Sequence, residues 1–342
     1  MAQLQASARA AQPDIFDALR EGFAFVHAKA THVRINEDRL ASFADELPSK
    51  PPGNVLDVTH HFIGPPEETA SYILTLDSIN FGSGYKPLLV REGWKTVNSS
   101  LYFTISTRLK EYFEQRGPLS ARALTEMTPA QVAAMLGLDN AKPWSEKFSA
   151  ICAANLHEPG RLIESGYGGR FLNLIERADG SAARFVGVLS SLPTFSDVHR
   201  YKGRDVSFFK RAQITAADLH LAFSRLGRTL FDDVGRLTMF PDNAVPHILH
   251  MDGVLDYTPE LAARIAAGEE IPSGSEPEVE IRACAAHAVE LMAARKAMRA
   301  MDLDHILWHR SEEDQRYAAA PTHRTLSRFY CPLFFGPRYI YL

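Results

Sequence analysis

The stretch Val206-Ser-Phe-Phe-Lys-Arg-Ala-Gln-Ile-Thr-Ala-Ala-Asp-Leu-His220, with its continuation Leu237-Thr-Met-Phe-Pro-Asp-Asn-Ala-Val-Pro-His-Ile-Leu-His250, changes character halfway. In the first part Ile214, Asp218, Leu219, Leu221, Ala222 and Leu226 recur at helical spacing, and Gly227 stops the pattern. In the second part Asp242 stands among prolines. Pro241 fixes its own φ and pushes Phe240 to extended backbone, and Pro246 does the same to Val245. The carboxylate therefore sits on a short rigid turn ahead of a helix expected over 245–251, near amide N–H groups that favour its ionised form. A plain helix-capping aspartate satisfies the same pattern as a catalytic one.

Outward from this stretch the helical period dominates. Helices are expected over 13–30, from Asn36 to the proline-rich loop 49–53, and from Pro65-Pro66 through Tyr72, Ile73 and Leu76 to Ile79. Further ones follow over 98–117, 128–137, 144–155, 171–177, 182–191, 258–267 and 304–313, with 276–300 the longest. The β-branched and aromatic content around 201–209 suggests a small β-insert, and the tail 329–342 reads as aromatic-rich and extended. There is no βαβ alternation, no repeat, no GxGxxG and no Walker loop, which argues against a nucleotide-cofactor domain. The expected fold is mainly α: an N-terminal tail over 1–12, then a single compact domain over 13–342.

With 342 residues, 46% of them hydrophobic and 23% charged, the chain can bury a large core. Its formal net charge of −4 weighs against gripping long nucleic acid, which calls for a basic excess. A local basic pocket for one small anion is compatible with it. The three cysteines, Cys152, Cys284 and Cys331, are scattered and contain no CxxC pair, so each is expected as a small core residue. No signal peptide or membrane-spanning run is evident, and the expected location is cytoplasmic.

Among 13 histidines, His60-His61, His247/His250 and His305/His309 are grouped, yet no HExxH accompanies them, and no metal or cofactor is expected. A GxSxG elbow is also missing. Lys210-Arg211 places two cations at a helix N-terminus, against its dipole; a protein carboxylate or a substrate phosphate would relieve them. Phe240 sets an aromatic surface beside Asp242, suited to stacking a base. Trp308-His309-Arg310 with Glu312-Glu313-Asp314 reads as a solvated face or as an aromatic, acidic cleft wall.

Four islands, Leu76-Asp-Ser-Ile-Asn-Phe81, Val206-Ser-Phe-Phe-Lys-Arg-Ala-Gln-Ile214, Leu237-Thr-Met-Phe-Pro-Asp-Asn-Ala-Val-Pro246 and Glu278-Val-Glu-Ile-Arg-Ala-Cys284, give the chain its resemblance to a known family. In their order and spacing it resembles the queuosine salvage family, the queuosine 5′-phosphate N-glycosylase/hydrolase proteins. The resemblance implies a fold like that of helix-hairpin-helix DNA glycosylases and release of queuine from queuosine 5′-monophosphate. It implies Asp242 as nucleophile or transition-state stabiliser, Phe240 as the aromatic beside it, and His60 or His61 as a base contact. Asp77, Asn80 and Phe81 are expected to shape the pocket, to cap a helix or simply to pack. Lys210 is the candidate for the 5′-phosphate, with a purely positional role near Asp242 as its rival.

The chain also departs from the family pattern. Eukaryotic members commonly read Ala-Asp-Tyr-Arg-Val-Pro-Gln where Pro241-Asp-Asn-Ala-Val-Pro-His247 stands, so a Tyr-Arg contact does not carry over. Many members have Trp-Asp-Tyr where Trp308-His309-Arg310 stands; His309 and Arg310 are kept as candidate substrate contacts, with Glu313 supplying acid toward the cationic amine of queuine. The expected partner is a small-molecule nucleotide, with no stably bound nucleic acid and no membrane. The rival functions are a nucleobase- or tRNA-binding module without turnover and a DNA-type base glycosylase.

Overall fold

The helix Glu276–Lys296 is buried from Glu278 to Ala286 without a break, so it has no solvent face along that length. Such a helix belongs at the centre of a fold. In the computed structural model, which describes residues 14–50, 56–98 and 100–327, it packs against the helices Ile15–Lys29, Glu37–Glu46, Ala244–Met251 and Ala300–Glu313. A second group forms around Pro143–Gly166, which packs on Ala121–Glu126, Pro129–Leu136 and Pro66–Ile79. Pro66–Ile79 then packs against Lys210–Arg225, joining the two groups. The molecule is mainly helical, as expected.

Two short antiparallel sheets occur among the described residues. Val198–Tyr201 pairs with Arg204–Ser207, so the expected β-insert begins a few residues earlier than its aromatic content suggested. Lys202 and Gly203 join the strands with φ of 42° and 88°, the pair of positive values that a two-residue hairpin turn requires. Val33–Ile35 pairs with Leu255–Tyr257, with Val33 opposite Tyr257. These strands went unread because three residues are too short to display a period of two.

Two helix boundaries depart from expectation. Glu276–Lys296 ends at Ala297, which takes left-handed backbone (φ 48°), and a separate helix begins at Ala300. The longer helix is Pro143–Gly166, at 24 residues against 21. It continues past Asn155 and through Pro159 because Gly160 lies flush on its neighbour. A Cβ there would come within 2.8 Å of the Ala121 carbonyl oxygen and 2.6 Å of the Thr125 hydroxyl, so tertiary packing overrides the proline signal. The short helices Lys86–Arg91 and Ala121–Glu126 escaped the periodicity for the same reason as the strands.

Cys152 and Cys284 are buried, as expected of small core residues. Cys331, the tail 1–12 and the segment 329–342 lie outside the described residues. Among the described residues no helix is long and apolar enough to cross a membrane.

Candidate active site

The two groups of helices enclose a cavity of about 390 Å³, within the ~300–1,000 Å³ range usual for small-ligand sites. Helix Lys210–Arg225 presents Lys210, Ile214, Ala217, Asp218 and Leu221 to it, residues three and four apart on one face. Helix Ala300–Glu313 presents Met301, Asp304, His305, Trp308 and His309 by the same rule. Leu101, Tyr102 and Phe103 come from the first turn of Leu101–Arg116, and Asn80 from the end of Pro66–Ile79. The loop residues Asp57, His61, Phe240 and Asp242 complete the polar wall.

The turn that carries Asp242 is held at three points. The Phe240 amide donates to Asp304 Oδ1 at 3.0 Å, the Pro241 carbonyl accepts from Arg282 Nε at 2.9 Å, and Asp242 Oδ1 accepts the Ala244 amide at 2.9 Å. Asp242 thus ties off the start of helix Ala244–Met251 and lines the cavity at once. Burial raises its pKa, against Lys210, the amides of Ala244 and Val245, and Arg282, all of which favour the charged form. The amides act in the expected direction, but burial outweighs them.

Phe209 holds left-handed backbone (φ 47°, ψ 38°) just before Lys210. Non-glycine residues enter that region at a cost of roughly 1–3 kcal/mol, and it recurs where function fixes the chain. Lys210 is buried in the cavity wall, and among the described residues nothing makes a hydrogen bond or an ion pair within 4 Å to its ammonium. Its charge nevertheless favours the ionised forms of Asp77, Asp218, Asp242 and Asp304. Burial wins at each of them: Asp77 rises to about 7, and Asp218 and Asp304 rise well above the ordinary carboxylate range. Asp218 is raised further by Asp77, and Asp304 by Asp242. Oδ2 of both Asp77 and Asp218 has no hydrogen-bond partner. Burial therefore outweighs the one ammonium at all four carboxyls.

Arg211 answers differently from Lys210. Its guanidinium donates to the carbonyl of Ser78 at 2.5 Å, to that of Asp77 at 3.4 Å and to that of Thr194, and lies between the rings of Phe81 and Phe195. It therefore caps the C-terminal carbonyls of helix Pro66–Ile79 and favours the ionised form of Asp77 on that helix.

The histidine pair of the loop is resolved by position. His61 lines the cavity; its Nδ1 lies 2.7 Å from the Asp57 carbonyl and its Nε2 2.7 Å from the Tyr102 hydroxyl. A carbonyl only accepts, so Nδ1 carries the proton and Nε2 accepts from Tyr102. Burial lowers the His61 pKa to about 4, in keeping with a neutral ring. His60 is outside the wall, bonded to Thr107 and packed against Phe103. Asn80 faces the cavity and reaches Asp77 at 3.4 Å, whereas Phe81 is turned into the core against Phe148. On helix Ala300–Glu313 His309 lines the cavity beside His305, whose pKa burial lowers to about 4. Arg310 is a residue further round the helix, away from the cavity, donating to the Tyr317 hydroxyl at 2.8 Å. Glu313 ends that helix, and its side chain lies outside the described residues.

Asp218, Asp304, His305 and Tyr102 were not singled out from the sequence as site residues. The signal for two of them was present: Asp218 and Asp304 each occupy a position where helical spacing calls for an apolar side chain. Among the described residues one group has metal-ligand spacing, His32, Glu276 and Glu280. It lies away from the cavity, and Glu280 already accepts the amides of Thr31, His32 and Val33.

The sequence profile of the queuosine salvage protein family matches residues 60–330. A queuosine 5′-phosphate N-glycosylase/hydrolase of Sphaerobacter thermophilus is 36% identical over 314 residues, 88% of this chain and 94% of the relative. Proteins of the same name from Dictyostelium discoideum and Bos taurus are 30% and 29% identical, over 91% and 80% of this chain and 98% and 83% of theirs. The match spans the cavity-lining segments from His61 to His309, and the chain belongs to the queuosine salvage protein family.

Proposed function

We propose that the protein is an N-glycosidase that hydrolyses queuosine 5′-monophosphate and releases queuine. The observation that carries this is Asp242: a buried carboxyl on a clamped turn in the wall of a ligand-sized cavity, beside an aromatic ring and a lysine with no hydrogen-bond or ion-pair partner among the described residues. The names of the relatives supply the substrate.

In the reaction the bond from C1′ to the base nitrogen breaks, the oxygen of water bonds to C1′, and its two protons end on the sugar hydroxyl and the base. Positive charge grows on the sugar as the bond lengthens, and the Asp242 carboxylate stabilises it. The neutral carboxylic acids of the same cavity, Asp218 foremost, are proton donors for the departing base, whose 7-deaza ring has no N7 to protonate. Phe240 and the Trp308 wall stack the base, and the neutral His61 offers it a fixed polar contact through the pair with Tyr102. The Lys210 ammonium takes the 5′-phosphate. With neighbouring acids held neutral by burial, an anion is not repelled there. We read residues 13–342 as one cytoplasmic domain of the helix-hairpin-helix glycosylase kind, supported by the helical content and the central buried helix.

Incubating the purified protein with queuosine 5′-monophosphate, queuosine and guanosine monophosphate, and following base release by chromatography, tests the proposal. Release from the first at least ten times faster than from the third is expected. Tight binding without release would favour a binding module, and release from lesion-bearing duplex DNA would favour a DNA glycosylase.

A further inference from the structure

The island Glu278-Val-Glu-Ile-Arg-Ala-Cys284 has no residue in the cavity wall, yet it carries three charged side chains with 0% exposure, Glu278, Glu280 and Arg282. Glu280 closes the fold by holding the amides of residues 31–33. Glu278 accepts the Gly274 amide at 2.9 Å and lies 3.3 Å from Arg282 Nη1. Arg282 reaches towards the catalytic turn.

A buried guanidinium is a poor source of stability, because apolar side chains of similar volume often serve as well or better. This one is engaged on every edge. Nη1 and Nη2 hold the Asp197 carboxylate at 3.1 and 2.5 Å, and the plane lies 4.0 Å from the centroid of the Phe208 ring. Nε donates at 2.9 Å to the carbonyl of Pro241, the peptide that leads directly into Asp242. Asp197 is itself fixed by His199 at 3.1 Å.

We infer that Arg282 is the positioning residue for Asp242: it fixes the Pro241–Asp242 peptide, and so the direction of the Asp242 carboxyl, and it lends that carboxyl a positive field tempered by Asp197. The other charged groups facing Asp242 are Lys210 and Asp304, while Asp197, Glu278 and His323 face Arg282. The inference rests on Asp242 being the group that meets the sugar cation.

The test compares the pH profiles of kcat/KM for the wild type, R282K and D197N, on queuosine 5′-monophosphate. R282K keeps the charge and loses the fork, so kcat falls about 10- to 100-fold, the effect of roughly an ångström of misplacement. KM changes less than about threefold, and the acid limb stays where it was. D197N leaves the Arg282 charge opposed by Glu278 alone, so the acid limb moves to lower pH; a merely structural role would not move it. Should either variant fail to fold, R282M/D197L/E278Q replaces all three buried charges with neutral groups of similar size. It is expected to fold, to lose kcat about 10-fold or more, and to shift the acid limb upward. A kcat within twofold of wild type in R282K, or an acid limb unmoved in D197N or in the triple variant, overturns the inference. If the wild type releases no base, the proposed reaction fails instead. The positioning role is then decided by ¹³C NMR titration of the Asp242 carboxyl, where D197N must lower its pKa.

Discussion

Glu280, on the central helix, accepts the amides of Thr31, His32 and Val33 at 2.9, 2.6 and 3.1 Å and the Tyr201 hydroxyl at 2.8 Å. Asp218, on the cavity wall, leaves Oδ2 with no partner at all. Both are buried carboxyls on long helices, so burial alone does not separate a structural acid from a functional one. Bonding capacity does. Glu280, and Asp197 with its grip on Arg282, have theirs filled by the protein. Asp77 and Asp218 have part of theirs left open, and among the described residues nothing fills the donors of Lys210. Unfilled capacity is costly in a folded chain unless a ligand fills it. Asp218 and Lys210 line the cavity, where a ligand can reach them.

The largest effect that would sharpen the contrast comes from Asp242→Asn. It keeps size and the Ala244 contact and removes the charge proposed to stabilise the sugar cation. Base release is expected to fall about 10²- to 10³-fold, the scale for losing one preorganised electrostatic group, with substrate affinity by calorimetry changed less than about threefold. A binding module would lose nothing measurable.

Next in size is the structural acid. Glu280→Leu leaves the amides of residues 31–33 and the Tyr201 hydroxyl without their acceptor. Each orphaned buried donor costs about 1–3 kcal/mol, so a loss of at least about 3 kcal/mol in urea denaturation is expected. The kcat of the protein that remains folded should stay close to wild type. If Glu280→Leu instead cut kcat as deeply as Asp242→Asn, the division between the two sets of acids would collapse.

A smaller, pH-dependent effect separates the sets again. Asp77 is raised to about 7 in the folded protein by burial, against an ordinary value near 4. A raised pKa contributes stability that is fully present below the unfolded value and lost as pH rises through the folded one. Stability without ligand should therefore decline between about pH 4 and pH 7, and Asp77→Asn should flatten that decline. Urea midpoints taken at pH 4.5, 6 and 7.5 would reveal it; parallel slopes in variant and wild type would refute the assignment.

What could be read in advance follows the same division. Asp242 was legible because Pro241 and Pro246 leave a residue between them little conformational choice, and the cavity face of Lys210–Arg225 was half legible in Ile214, Asp218 and Leu221. Asp304 was missed because its partners are remote in sequence: it meets Phe240 through a backbone amide across 64 positions. Arg211 was misread for a related reason. Two adjacent cations at a helix start look alike in sequence, and only the arrival of helix Pro66–Ile79, with its open carbonyls, assigns one to the core and leaves the other to the cavity. Pro159 misled at short range, since nothing local announces that Gly160 must press against Ala121.

The smallest expected effect tests the far side of helix Ala300–Glu313. His309 lines the cavity, and Arg310, next in the chain, is turned toward Tyr317, Asp252 and the Phe43 ring. The resemblance makes both of them candidate substrate contacts, at positions where many members have Asp-Tyr after the tryptophan and this chain departs from that pattern. A step of one residue on a helix turns the side chain by about 100°, and that step carries Arg310 past the wall that Trp308 and His309 share. Arg310→Ala should therefore leave kcat and KM within about twofold of wild type and cost no more than about 1 kcal/mol of stability, the usual worth of a half-exposed pair. His309→Ala, at the cavity wall, should raise KM by about fivefold or more through the contact it loses, roughly the 1 kcal/mol of one hydrogen bond. Equal effects at the two positions would mean that the helix sits in a different rotation when the nucleotide is bound.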